Sequence, residues 1–192
     1  MKSFWLKIPF LYDLIQVLLT GGFLNKLMDE VQIPKNKRIL ELGCGTGTLS
    51  QKLNCLTYVG VDLNKDFVRF AKVKFPKHTF KVLDIVTDKL PQDRFDYVLI
   101  MNVLHHLNDK QLNQLFKKIN KLKNARRFVI IEGKPVGLLA PTLKRLDDGS
   151  NFREFPQLIE LMSPYFKIQK TTQINSGNGI YTYLIAKMLI HG

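Results

Sequence analysis

The chain has 192 residues, 45% apolar and 23% charged, proportions that fit one soluble globular domain and exclude disordered and fibrous classes. Its two cysteines, Cys44 and Cys55, are too few for a disulfide scaffold or a cysteine-rich zinc site, which favours a reducing, cytoplasmic setting. The formal charge of +13 invites an anionic partner, either a nucleic acid or a membrane surface.

Met1 to Leu24 is apolar-rich but interrupted by Lys7, Pro9 and Asp13. Its longest uncharged run, Leu14 to Leu24, is about half of the roughly 20 residues that a bilayer span requires. Thr20-Gly21-Gly22-Phe23 is a poor cleavage site for a signal peptide. Residues 1–37 therefore read as an N-terminal helical segment that packs onto or covers the domain, with interfacial membrane contact as the alternative.

From there, short apolar runs alternate with helical stretches, the signature of a mostly parallel sheet wrapped by helices. Strands are expected at Arg38–Leu42, Tyr58–Asp62, Phe80–Asp84, Phe95–Met101 and Arg127–Glu132, and helices open at Thr48 and span Lys65–Phe75 and Asp109–Leu122. The last of these carries Leu112, Leu115, Phe116, Ile119 and Leu122 at a helical period. Six basic residues between Asn64 and Lys81 and seven between Lys110 and Arg127 read most simply as solvated helix faces. Residues 38–132 thus form a core, and 133–154 a long loop of the kind that is functional when found inside a compact domain. A short helix near Phe155–Met162 follows, then strands at Tyr165–Ile174 and Ile180–Lys187. Asn175-Ser176-Gly177-Asn178-Gly179 joins these strands with hairpin chemistry.

Glu41-Leu42-Gly43-Cys44-Gly45-Thr46-Gly47 stands directly after a strand. Glycines there permit a tight turn and the close approach of a ligand to the backbone. A dinucleotide-binding G-x-G-x-x-G would place its third glycine where Thr48 stands; here Gly47 comes one place earlier. Glu41 would also oppose a pyrophosphate, yet it suits a ligand with ammonium and sulfonium charges.

On these residues the sequence resembles the class I S-adenosylmethionine-dependent methyltransferases, whose first motif has the form E/D-x-G-x-G-x-G. The resemblance implies a Rossmann-like, doubly wound α/β fold: a mostly parallel seven-stranded sheet ending in an antiparallel hairpin. It implies S-adenosyl-L-methionine as cofactor, held by Glu41, Gly43, Cys44, Gly45 and Gly47. Asp62, with Leu63 beside it, would hold the ribose, Asp84 and Ile85 the adenine, and Asn102 the methionine moiety. Tyr12, with Trp5 or Phe10, would cover the donor from the N-terminal segment. No metal is implied.

Methyl transfer from a sulfonium is an in-line displacement in which the protein chiefly aligns the reactants. A base is needed only where the acceptor must lose a proton. The candidates are His105 and His106 after the fourth strand and Glu132 at the end of the fifth. Asn102-Val103-Leu104-His105 is not the D/N-P-P-Y/F of base-amine methyltransferases, and no nucleophilic cysteine of the cytosine C5 kind stands nearby. The Val-Leu-His-His run instead resembles the small-molecule and lipid or quinone methyltransferases (type 11-like). The expected acceptor is small or lipid-like, with peripheral contact to an anionic membrane. An RNA-modifying enzyme is the alternative, and a non-catalytic donor-binding domain ranks behind it.

Overall fold

Strands that carry apolar residues on both parities, such as Tyr97–Met101, are stable only when both faces of their sheet are covered. In the computed structural model, which describes residues 9–10, 24–122, 125, 127–135, 151–175 and 179–189, seven strands form one such sheet. They are β1 (Arg38–Leu42), β2 (Thr57–Asp62), β3 (Thr79–Val82), β4 (Tyr97–Met101), β5 (Arg127–Pro135), β6 (Phe166–Asn175) and β7 (Gly179–Met188), in the order β3-β2-β1-β4-β5-β7-β6. Only β7 runs against the rest, pairing antiparallel with both β5 and β6.

Helices cover both faces. Residues 24–31 (α1) and Lys65–Lys74 (α2) pack with Ile39, Tyr58, Leu99, Val129 and Tyr183 on one side. Asp109–Asn120 (α3) and Phe155–Met162 (α4) pack with Leu40, Val98, Ile100, Phe128 and Leu184 on the other. Asn64 caps α2 by accepting the amides of Asp66 and Phe67, and Asn108 with Gln111 forms a reciprocal capping box on α3. The chain leaves β1 toward β2 and β3, then returns to β4 on β1's other side. This topological switch opens a crevice at the carboxyl ends of β1 and β4.

Several boundaries differ from the sequence reading. Thr48–Lys52 is a 3₁₀ turn rather than the start of an α-helix, because Leu53 is already extended and β2 begins at Thr57. The third strand stops at Val82, since the Asp84 carboxylate accepts the amides of Val86 and Thr87 and folds the chain into a turn. The fifth runs on to Pro135, its extra length paired with β7 through Gly133↔Tyr181 and Lys134↔Ile180. The turn at 176–178 and most of the 133–154 stretch lie outside the described residues.

Phe116 of α3 is fully buried and meets Phe128 and Phe166 edge-on, with ring centroids 6.2 and 5.6 Å away. Phe116→Ala is expected to destabilise the domain by about 3–5 kcal/mol, read as a shift in the urea midpoint at unchanged slope.

Candidate active site

Three glycines take left-handed backbone at the bend after β1: Gly43 (φ 76°), Gly45 (φ 53°) and Gly47 (φ 79°). A Cβ on Gly43 would lie 2.3 Å from Cγ2 of Val103, so only glycine lets this bend abut the segment that follows β4. The Asp62 carboxylate joins the bend to the end of β2. Its Oδ2 accepts the Gly45 amide at 2.7 Å and its Oδ1 the Asn64 amide at 2.8 Å. With amides of Gly45, Asn64 and Leu63 on it, the carboxylate still has acceptor capacity for a ligand hydroxyl. Leu63, next in the chain, is 70% exposed, an apolar surface at the crevice rim.

Glu41 is 3% exposed and receives the Tyr58 hydroxyl. Burial pushes its carboxyl up to about 8, against the lowering effect of the Tyr58 bond, and the nearby Asp62 charge pushes the same way. Asp62 is likewise raised by burial, although its amide bonds and the charge of His106 oppose the shift. Two desolvated acids therefore lie together behind the glycine bend. Such a pair favours a cationic ligand, because a positive charge beside desolvated carboxylates stabilises their ionised forms. The Cys44 thiol is buried against Gly60 and Phe80 and is pushed up by burial and by both acids, so it is inert.

The remaining candidates are distributed as follows. Asp84 uses its carboxylate on its own turn. Its pKa lies below the ordinary value although burial raises it, because the Val86 and Thr87 amides outweigh that effect. Ile85 is buried. Asn102, at φ 54°, accepts the Gly133 amide through Oδ1 and so ties β4 to β5. Glu132 is not a solvated strand end: Oε1 accepts the amides of Val103 and Leu104, and Oε2 lies 2.7 Å from Nδ1 of His105. His105 is 3% exposed, whereas His106 is exposed at the crevice. Tyr12 and Trp5 lie outside the described residues, and Phe10 is 66% exposed.

Sequence reasoning missed three residues. Tyr58 satisfies Glu41; a strand glutamate destined for burial signals the need for such a donor. Lys118, read as part of a solvated basic face, reaches the carbonyls of Ile85, Val86 and Asp88 and fastens the turn that follows Asp84. Arg153 binds groups more than 40 positions earlier in the chain, a separation that leaves no local signal. A cavity of about 260 Å³, lined among others by Met28, Gln32, Ile39 and Leu53, lies at the opposite end of β1 and touches none of these groups.

Because the Glu41 carboxyl rises from 4.5 to about 8 on folding, its contribution to stability is complete below pH 4.5 and is lost as pH climbs through 8. Glu41→Gln should remove this loss. Urea midpoints are expected to fall with pH in the parent chain and to fall less in the variant; parallel pH profiles would contradict the assignment.

Residues 39–124 match the family model described as "Methyltransferase domain". A putative methyltransferase of Invertebrate iridescent virus 6 is 28% identical over 56% of this chain and 41% of its own length. A ubiquinone biosynthesis O-methyltransferase of Pelagibacter ubique is 32% identical over 50% of this chain and 48% of its own. The chain thus spans less than half the length of these curated relatives. A TehB-like SAM-dependent methyltransferase from Corynebacterium glutamicum shares the fold at TM-score 0.69 and 18% identity, over 94% of this chain and 98% of that one. The glycine bend and the acid that ends β2 fall within the stretch that matches the methyltransferase-domain model, and the reversed β7 completes the fold shared with the Corynebacterium protein.

Proposed function

We propose that this chain transfers a methyl group from S-adenosylmethionine to a small-molecule or lipid-like acceptor, such as a quinone precursor. The reading is carried by one observation: two desolvated acids, Glu41 and Asp62, stand behind a glycine bend whose backbone a ligand can approach closely. When bound there, the cofactor supplies an electrophilic methyl carbon on a positively charged sulfur. Asp62 holds the ribose hydroxyls with its spare lone pairs, and Leu63 offers an apolar edge to the base. Glu41 supplies negative potential to the cationic end from behind the bend.

His106 is the exposed imidazole at this edge and takes a proton from an acceptor hydroxyl or amine as the general base. Alignment in the crevice contributes more, on the order of 7–11 kcal/mol for well-oriented reactants. The ubiquinone biosynthesis O-methyltransferase relative supports a quinone-like acceptor. The RNA reading is disfavoured because the basic residues of α2 and α3 lie on opposite faces of the sheet. A phosphate track needs them on one side.

We place this chemistry in the cytoplasm, at an anionic membrane surface. The exposed lysines of α2 support such contact, each worth about 1 kcal/mol near anionic lipid. Among the described residues no helix is long and apolar enough to cross a membrane.

Asp62→Ala is expected to weaken S-adenosylmethionine binding about 10- to 100-fold, the loss of one or two hydrogen bonds to a charged group, with the fold intact by circular dichroism. Incubating the chain with cell extract and isotopically labelled donor should label a metabolite or lipid. His106→Ala should lower that labelling by on the order of 10²–10⁴ at near-unchanged donor affinity. Full labelling by the variant would remove His106 as the base.

A further inference from the structure

The segment that presents His106 is gripped from two sides by residues distant in sequence. On its amide side, Glu132 within β5 accepts Val103 N–H at 2.9 Å and Leu104 N–H at 2.8 Å through one oxygen, and faces His105 Nδ1 at 2.7 Å with the other. A carboxylate offers only acceptors here, so Nδ1 of His105 carries the hydrogen. On its carbonyl side, Arg153 donates to Leu104 O at 3.2 Å and Leu107 O at 2.7 Å. The same guanidinium holds Asp109 Oδ1 through Nε at 2.9 Å and Nη2 at 2.7 Å, and its own Asn151 carbonyl at 3.0 Å. The Asn151 amide donates to His105 O at 2.9 Å.

Between the two grips lies an aromatic stack. The Phe152 ring is parallel to that of His105 within 5°, with centroids 4.7 Å apart. His105 in turn supports the His106 ring at 4.3 Å. His106 acts electrostatically on Asp62, so the chain of contacts reaches the donor edge.

We propose that Arg153 is a positioning residue: through Phe152 and His105 it fixes His106 at the mouth of the donor site. A planar fork suits this task, since its five N–H groups reach three carbonyls and a carboxylate at once. A lysine ammonium has no such geometry. The side chain is nearly covered, 12% exposed, which shelters its carbonyl bonds, whereas its Asp109 partner is open to solvent. Neither Arg153 nor Phe152 touches Asp62, Glu41 or the glycine bend in the contacts described above. Their loss therefore disturbs the acceptor side of the crevice and leaves the donor side in place. The inference rests on the methyltransferase reading for the purpose of the clamp, but not for its existence.

The test uses the full chain with Arg153→Gln and, independently, Phe152→Leu, which keeps the Arg153 side chain and removes the ring that stacks on His105. Three quantities are measured: histidine ring ¹⁵N spectra, amide hydrogen exchange over 103–109, and S-adenosylmethionine affinity by calorimetry. The parent chain should show His105 protonated at Nδ1 as a single tautomer. In Arg153→Gln, exchange at 104–107 should rise about 10- to 100-fold, the loss expected for charge-assisted bonds. Both variants should alter the His106 ring signals while donor affinity stays within about twofold of the parent. Unchanged ring spectra and exchange in both variants would overturn the clamp. Donor affinity that falls together with the exchange protection would overturn its positioning role and leave Arg153 a general stabiliser. A parent chain that shows the clamp spectra but binds no donor would overturn the methyltransferase reading, and with it the role given to Arg153.

Discussion

The Asp62 carboxylate is the point on which the donor edge depends. One of its oxygens holds the amide of Gly45 in the bend after β1, and the other holds the amide of Asn64, which in turn caps α2. A single half-buried group thus fixes the glycine bend, the end of β2 and the entry to a helix relative to one another. Burial opposes its charge while these N–H donors favour it, and the balance leaves an acid that gains from a positive neighbour. Glu41 behind it, held by Tyr58, adds a second acid that burial pushes up to about 8 and that a cation would ionise. The bend is in this sense prepared for a cation before any ligand arrives.

The sheet explains why this preparation occurs at one place. β1 and β4 are neighbours, and the chain departs from them in opposite directions, so their carboxyl ends are left uncovered by any crossover connection. The residues we propose to hold the donor come from β1, β2 and the turn after β3. The acceptor-side groups come from the segment after β4, held by Glu132 from β5 and by Arg153 ahead of α4. The two halves meet where Val103 closes against Gly43. Donor binding and acceptor chemistry can then be perturbed separately, one through Asp62 and the other through the clamp.

Local chemistry made much of this legible beforehand. Alternating apolar runs set the strand positions, the helical period of Leu112, Leu115, Phe116 and Ile119 set α3, and three alternating glycines beside Glu41 announced the bend. The α4 helix lies where the sequence placed it, at Phe155–Met162. What escaped was non-local. β5 exceeds its expected end because β7 pairs with it, and nothing near Glu132 in sequence signals that partner. Asp84 ends the third strand early by folding its own turn, an Asx preference that competes with extension. Lys118 reads as ordinary surface charge and Arg153 carries no mark in sequence, because the Asp88 and Leu107 carbonyls that they reach lie 30 and 46 positions away. The positive charge was visible as a sum, whereas its division between the two faces of the sheet required the topology.

The central claim is that the acids behind the bend are held for a cationic ligand. It is tested most directly by calorimetry of S-adenosylmethionine binding near neutral pH in buffers of different ionisation enthalpy. With the Glu41 carboxyl at about 8 in the free chain, a cation in the crevice should drive it to ionise. The account therefore predicts net proton release on binding, and less release with S-adenosylhomocysteine, which lacks the sulfonium charge. Binding with no proton release, or no binding by the folded chain, would contradict it.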